Sequence, residues 1–182
     1  MKDFLNLSKK RYSVRRYLPK KVPRTLIMKC IQAAHMAPSA QNTQPWRYMV
    51  IDEEPLLSQL KKIAFKGIYF HTHWANSAPV IIVLLSKSDL HIKLIGPVLK
   101  KIDYYLLDIG SAAQNLCLQA TDMGLGTCWI GFFDVKATEE FLKVPKQYKL
   151  IGLLTLGYYK KSRTPIKRRK KIEDIVWFNE LK

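Results

Sequence analysis

Apolar residues recur along this chain with helical spacing in some stretches and as short continuous runs in others. The pattern predicts helices and strands in succession. Between Pro23 and Met36, the residues Leu26, Ile27, Cys30, Ile31 and Ala34 fall on one helical face. Pro23 suits a first turn, and Pro38 lies beyond the end. A short helix is expected just before Arg11. Pro38 to Pro45 is a polar loop. Trp46 to Ile51 reads as a strand, and Pro55 to Ala64 as a short helix with Leu56, Leu57, Leu60 and Ile63 inward. Pro79 to Leu85 is apolar without a break and rich in β-branched residues, which predicts a strand buried on both faces.

The longest predicted helix runs from Asp103 to Met123. Leu106, Ile109, Ala113, Leu116, Cys117, Ala120 and Met123 keep near-helical spacing, and Gly124 suits the position after the end. Small residues at Gly110, Ser111, Ala112 and Ala113 would let another backbone come close. Gly126 to Ile130 is a short strand ending at Gly131. Asp134 can cap a helix running to about Leu142, which Pro145 stops. Tyr148 to Tyr158 is a last strand. The tail beyond is basic, then ends in Ile172, Ile175, Val176, Trp177 and Phe178. Such side chains need a surface to lie on, either a partner in a dimer or the chain's own domain. Helices alternating with strands admit α/β or α+β. Few strands and one long central helix favour α+β.

With 182 residues, 48% hydrophobic and 11% aromatic, the chain can build a core, and one domain spanning 1–182 is expected. The charge is uneven: 31 Lys and Arg face 14 Asp and Glu, a formal net charge of +17. That field attracts phosphate-bearing cofactors, nucleic acid or acidic surfaces, and composition does not choose among them. Three cysteines without CxxC spacing give neither a disulfide framework nor a zinc site. Reduced thiols and a start without a long apolar segment lead to the expectation of a cytoplasmic protein. The longest apolar run is too short to span a bilayer, so no membrane association is expected.

Two basic clusters are candidates for chemistry. Arg11, Arg15 and Arg16 flank Ser13 near one end, and Lys167 to Lys171 form an unbroken run near the other. Arginine forks and a serine hydroxyl can hold phosphate oxygens if the clusters converge, whereas solvated faces are the commoner fate of charge runs. Zinc-finger spacing, RNP-like aromatic motifs and leucine heptads are missing. A basic nucleic-acid-binding module therefore has only charge in its favour. Gly124-Leu125-Gly126 follows a helix and has Trp129 where a third glycine would stand, which excludes a Rossmann fingerprint. His71 and His73 lack further ligands at useful spacing and read as a solvated pair, so no metal is expected. Cys128 has no nearby histidine and reads as a buried thiol.

Three segments resemble one family in order along the chain. Arg11-Tyr12-Ser13-Val14-Arg15-Arg16-Tyr17 resembles the R-x-S-x-R-x-[FY] motif of FMN-dependent nitroreductases. Ala37 to Trp46 resembles their A-P-S-x-x-N-x-Q-P-W loop. Asp108 to Leu116, continuing through Gly124 to Gly131, resembles their long central helix and the strand after it. Leu142 to Pro145 and Leu156 to Tyr158 also fit. The resemblance implies an α+β fold on a mixed, mainly antiparallel sheet. It implies a homodimer with exchanged C-terminal tails and FMN in two interfacial pockets. By the same resemblance, Arg11, Ser13 and Arg15 hold the phosphate and ribityl chain, joined by Lys167 and Arg169. Tyr12 stands where relatives carry a polar or basic residue. Pro38, Ser39, Ala40 and Asn42 line the flavin of the other subunit. Ile130 and Gly131 form a backbone turn at the pyrimidine and N5 edge. Some relatives carry Glu at the position of Ile130, which leaves only a backbone donor here. The implied activity is hydride transfer from NAD(P)H through flavin N5 to a small oxidised acceptor, nitroaromatic or quinone, in two half-reactions. No catalytic side chain is required. A flavin-binding protein with a specialised role, in reductive dehalogenation, flavin fragmentation or FMN storage, is the alternative.

Overall fold

The computed structural model describes residues 3–87, 103–160 and 166–180. The first two residues and Pro165 of the tail lie outside them. The helices are α1 (Phe4–Lys10), α2 (Arg24–His35), α3 (Leu56–Ala64), α4 (Tyr104–Asp122) and α5 (Val135–Phe141). The strands are β1 (Trp46–Ile51), β2 (Val80–Lys87), β3 (Gly126–Ile130) and β4 (Tyr148–Gly157). Short 3-10 segments occupy Ala40–Asn42, Gly67–Ser77 and Ile172–Asp174.

The strands form one sheet in the order β1-β2-β4-β3, and every neighbouring pair is antiparallel. β2 is central and buried from Val80 to Ser86, as its unbroken apolar run predicts. Its side chains alternate between two cores. Ile82 and Leu84 meet Ile27, Cys30 and Ala34 of α2 and Ile109, Ala113 and Leu116 of α4. Ile81 and Val83 meet Leu57, Leu60 and Ala64 of α3 on the other face. The sheet is thus covered by helices on both sides, the α+β arrangement expected from the sequence. The one parallel pairing among the described residues is an isolated bridge, Ser13 to Thr127, on the outer side of β3.

Two core assignments need correction. Leu56 is 39% exposed and Leu106 is 44% exposed. Each lies in the first turn of its helix, where the buried stripe begins only with Leu57 and Asp108. Gly67–Ser77, where the sequence pattern gives no element, is a series of 3-10 turns. Its side chains are mostly exposed, so no period of burial marks it.

Candidate functional site

The first basic cluster is fixed by its backbone. Arg11 terminates α1, its N–H donating to Leu7 O at 3.0 Å. The chain then runs extended along β3, with Val14 N–H donating to Thr127 O at 3.0 Å. Val14 and Tyr17 are buried, while Ser13 and Arg15 are exposed. The Tyr17 hydroxyl lies 2.7 Å from both Val14 O and Thr155 Oγ1, tying the segment to β4. Gly126 makes the approach possible, since a Cβ there would stand 2.6 Å from Val14 Cγ2. Tyr12 packs edge-on to Tyr159, with ring centroids 5.7 Å apart.

The second cluster comes to meet the first. Lys167 Nζ donates to Ser8 O near the end of α1 at 2.6 Å. Its pKa is pushed below the usual lysine range, first by loss of water and then by Arg11 and Arg169. Lys167 therefore feels the field of both arginines. No ion pair among the described residues supplies them with a carboxylate. Like charges gathered without a counter-charge make a place for an anion, and arginine and lysine donors suit phosphate oxygens. The Arg15 guanidinium lies 5.7 Å from the Trp74 ring centroid. Arg16, Arg168, Lys170 and Lys171 are exposed.

The bridge from Ser13 to Thr127 lies on the same strand as Ile130. Three residues of strand separate Thr127 from Ile130, about 10 Å. A ribityl phosphate arm spans a comparable length. Ile130 is buried, but Gly131 is exposed, and a Cβ added there meets no atom within 4 Å. The backbone at this turn is open to a flat ring. The cation group and this open turn together fit a flavin mononucleotide.

The loop at Pro38–Asn42 has unusual geometry. Gln41, Asn42 and Gln44 adopt φ of 52°, 54° and 46°. Left-handed backbone at non-glycine residues costs on the order of 1–3 kcal/mol each and persists only where the surroundings enforce it. Here Gln44 N–H donates to Ser39 Oγ at 3.0 Å, and Gln44 Nε2 to Asn42 Oδ1 at 3.0 Å. Ala40 N–H donates to Asp108 Oδ1 of α4 at 3.1 Å. Pro38 and Asn42 are exposed, while Ser39 and Ala40 are half-buried.

The turn is anchored at Asp108 near the start of α4, whereas Arg11 acts on the Cys117 thiol further along the same helix, its charge favouring the thiolate against burial. Nine helical residues separate these two points, about 14 Å.

A family model for the nitroreductase family matches residues 8–158. The chain belongs to the nitroreductase family. A Methanothermobacter thermautotrophicus relative, provisionally named an NADH dehydrogenase/NAD(P)H nitroreductase, is 29% identical over 160 residues, covering 86% of this chain and 77% of its own. An iodotyrosine deiodinase from Thermotoga neapolitana is 26% identical over 170 residues, covering 87% and 89%. The crystallised FMN-dependent nitroreductase of Clostridium difficile R20291 superposes with a TM-score of 0.76 at 27% identity, covering 98% of this chain and 100% of that one. As a nitroreductase-family member the protein is an oxidoreductase of NAD(P)H-linked kin.

His71 and His73 are exposed, and the described residues hold no His, Cys, Asp or Glu cluster fit for a metal. All three cysteines are free and buried, and burial pushes Cys30 up to about 12. No helix among the described residues is long and apolar enough to cross a membrane. Asp108, buried on α4 and bonded to the loop at Ala40, was given no role by sequence reasoning. An acidic residue inside the apolar stripe of a helix was the available signal.

Proposed function

We propose that the protein is an FMN-dependent NAD(P)H oxidoreductase, one nitroreductase unit over 1–182, acting as a homodimer on a small oxidised acceptor such as a nitroaromatic or quinone. The observation that carries the reading is the convergence of Arg11, Lys167 and Arg169 without a carboxylate among them. In this reading Arg11, Ser13, Arg15, Lys167 and Arg169 hold the phosphate and ribityl chain, with Tyr12 alongside. Pro38, Ser39, Ala40 and Asn42 line the flavin of the opposite subunit. The main chain at Ile130 and Gly131 faces the N5 edge. FMN, when bound, supplies the redox chemistry, taking hydride from NADH or NADPH and passing it to the acceptor in a second half-reaction. The protein's part is position and field: cations and backbone N–H groups favour negative charge on whatever lies between them. No side chain is assigned a proton transfer, because water can supply protons.

A dimer is supported by what one chain leaves uncovered. Ile172, Ile175, Val176, Trp177 and Phe178 of the tail are exposed, as are Leu106 and Leu107 of α4. The separation of the Ser39–Asn42 turn from Arg11 along α4 supports pockets assembled from two chains. Reductive dehalogenation is the second reading, favoured by the similarity to the Thermotoga deiodinase. A cytoplasmic setting goes with either.

The test is anaerobic. The protein loaded with FMN should lose flavin colour on addition of NADH or NADPH and regain it, with turnover, on addition of a nitroaromatic or quinone. Recovery only with a halogenated phenol, accompanied by halide release, would favour the second reading. A protein that cannot be loaded with FMN contradicts both and leaves the nucleic-acid-binding module.

A further inference from the structure

We propose that Asp108 is a positioning residue that holds the strained Ser39–Gln44 turn in the shape the opposite subunit's flavin requires; this rests on the flavin reading above. Asp108 lies on α4, is 7% exposed, and sits beside Ile109, Ala112 and Ala113, which are core residues. A buried carboxylate is costly unless its oxygens find partners. One oxygen accepts Ala40 N–H at 3.1 Å, but the other is buried without a hydrogen-bond partner. No cation among the described residues pairs with it. Stability alone gives no reason for such a residue, since a half-satisfied buried acceptor is worse than an apolar side chain.

The turn supplies the reason. Three non-glycine residues hold left-handed backbone within four positions, Gln41, Asn42 and Gln44. The bonds from Gln44 to Ser39 and Asn42, and from Arg47 Nη1 to Gln44 O at 3.0 Å, all close within 39–47. They fix the shape of the turn without fixing where it stands. The Asp108 bond to Ala40 comes from outside and ties the turn to the central helix. A carboxylate grips a backbone N–H more firmly than a neutral acceptor does. Burial, which pushes the Asp108 carboxyl up, is opposed by this same bond. The segment anchored here carries Ser39, Ala40 and Asn42, three of the residues assigned to the flavin.

The experiment compares FMN titrations of the wild-type protein, Asp108→Ala and Asp108→Asn, each with the hydrogen exchange of the Ala40 amide in the flavin-free form. Asp108→Ala should weaken FMN binding roughly tenfold or more, free the Ala40 amide to exchange, and change the visible circular dichroism of flavin bound at saturation. Asp108→Asn keeps an oxygen for Ala40 and should bind FMN within about threefold of wild type, with the amide still protected. Wild-type affinity and dichroism in Asp108→Ala would overturn the proposal. If Asp108→Ala fails to fold, Asp108→Asn still decides: FMN binding lost while Ala40 stays protected, or kept while Ala40 exchanges freely, also overturns it. A wild-type protein that binds no FMN removes the flavin reading and this role together. Normal wild-type binding with indifferent variants removes the Asp108 role alone.

Discussion

Arg11, Lys167 and Arg169 repel one another unless an anion lies among them. The flavin-free protein should therefore melt several degrees higher in phosphate or sulfate than in chloride at equal ionic strength, because an anion that binds only the folded state stabilises it. Arg11→Ala should shrink that difference toward the general stabilisation that excluded anions give any folded chain, and weaken FMN binding by about tenfold or more, the scale of a charge-assisted hydrogen bond. An anion effect undiminished by the substitution contradicts the cradle. The same cluster sets a pH dependence. Lys167 is depressed in the folded chain, so between that value and the ordinary lysine value of 10.5 the unfolded chain binds more protons. Flavin-free stability should then rise with pH over that window, and the Lys167→Met variant should lose that part of the slope in melting temperature. The charges were visible in the sequence; their meeting was not, because only the fold brings Lys167 to Ser8. The strained turn was hidden for another reason. Asn42 tolerates left-handed backbone better than most residues, but Gln41 and Gln44 carry no such signal.

At the scale of elements, the site depends on how closely the Arg11–Tyr17 segment lies on β3. Gly126→Ala would press a Cβ to 2.6 Å from Val14 and 2.8 Å from Tyr159, and the segment must lift to accommodate it. Overpacking of this kind costs about 1–3 kcal/mol. The variant should lose both melting temperature and FMN affinity. Affinity unchanged alongside a lower melting temperature would mean that the segment's contact with β3 does not place the phosphate ligands. Most elements were legible because burial leaves a period. β2 is apolar on both faces and central, and α2 and α4 carry their stripes into one core. Gly67–Ser77 was not legible, since its exposed turns bury only Thr72 and Ala75. Leu56 and Leu106 misled because hydrophobicity at a helix's first turn does not tell whether the neighbouring layer reaches that far.

At the scale of the molecule, the central claim is that two chains complete each other's flavin pockets. Tail residues left exposed in one chain, and a turn anchored about 14 Å along α4 from the thiol that Arg11 influences, are explained by one arrangement. The apolar end of the tail was readable in the sequence, but the choice between a partner and its own domain was not. In the described structure Ile172, Ile175, Val176, Trp177 and Phe178 remain exposed, as the proposed dimer requires. The proposed phosphate cradle would use part of the +17 charge; Arg168, Lys170 and Lys171 are exposed and not assigned to it. The most direct measurement is sedimentation of the FMN-loaded protein, followed at once by its protein and its flavin absorbance. The account predicts a single boundary at twice the chain mass carrying one flavin per chain. Flavin travelling with a species of one chain mass, or left behind by the protein, would contradict it.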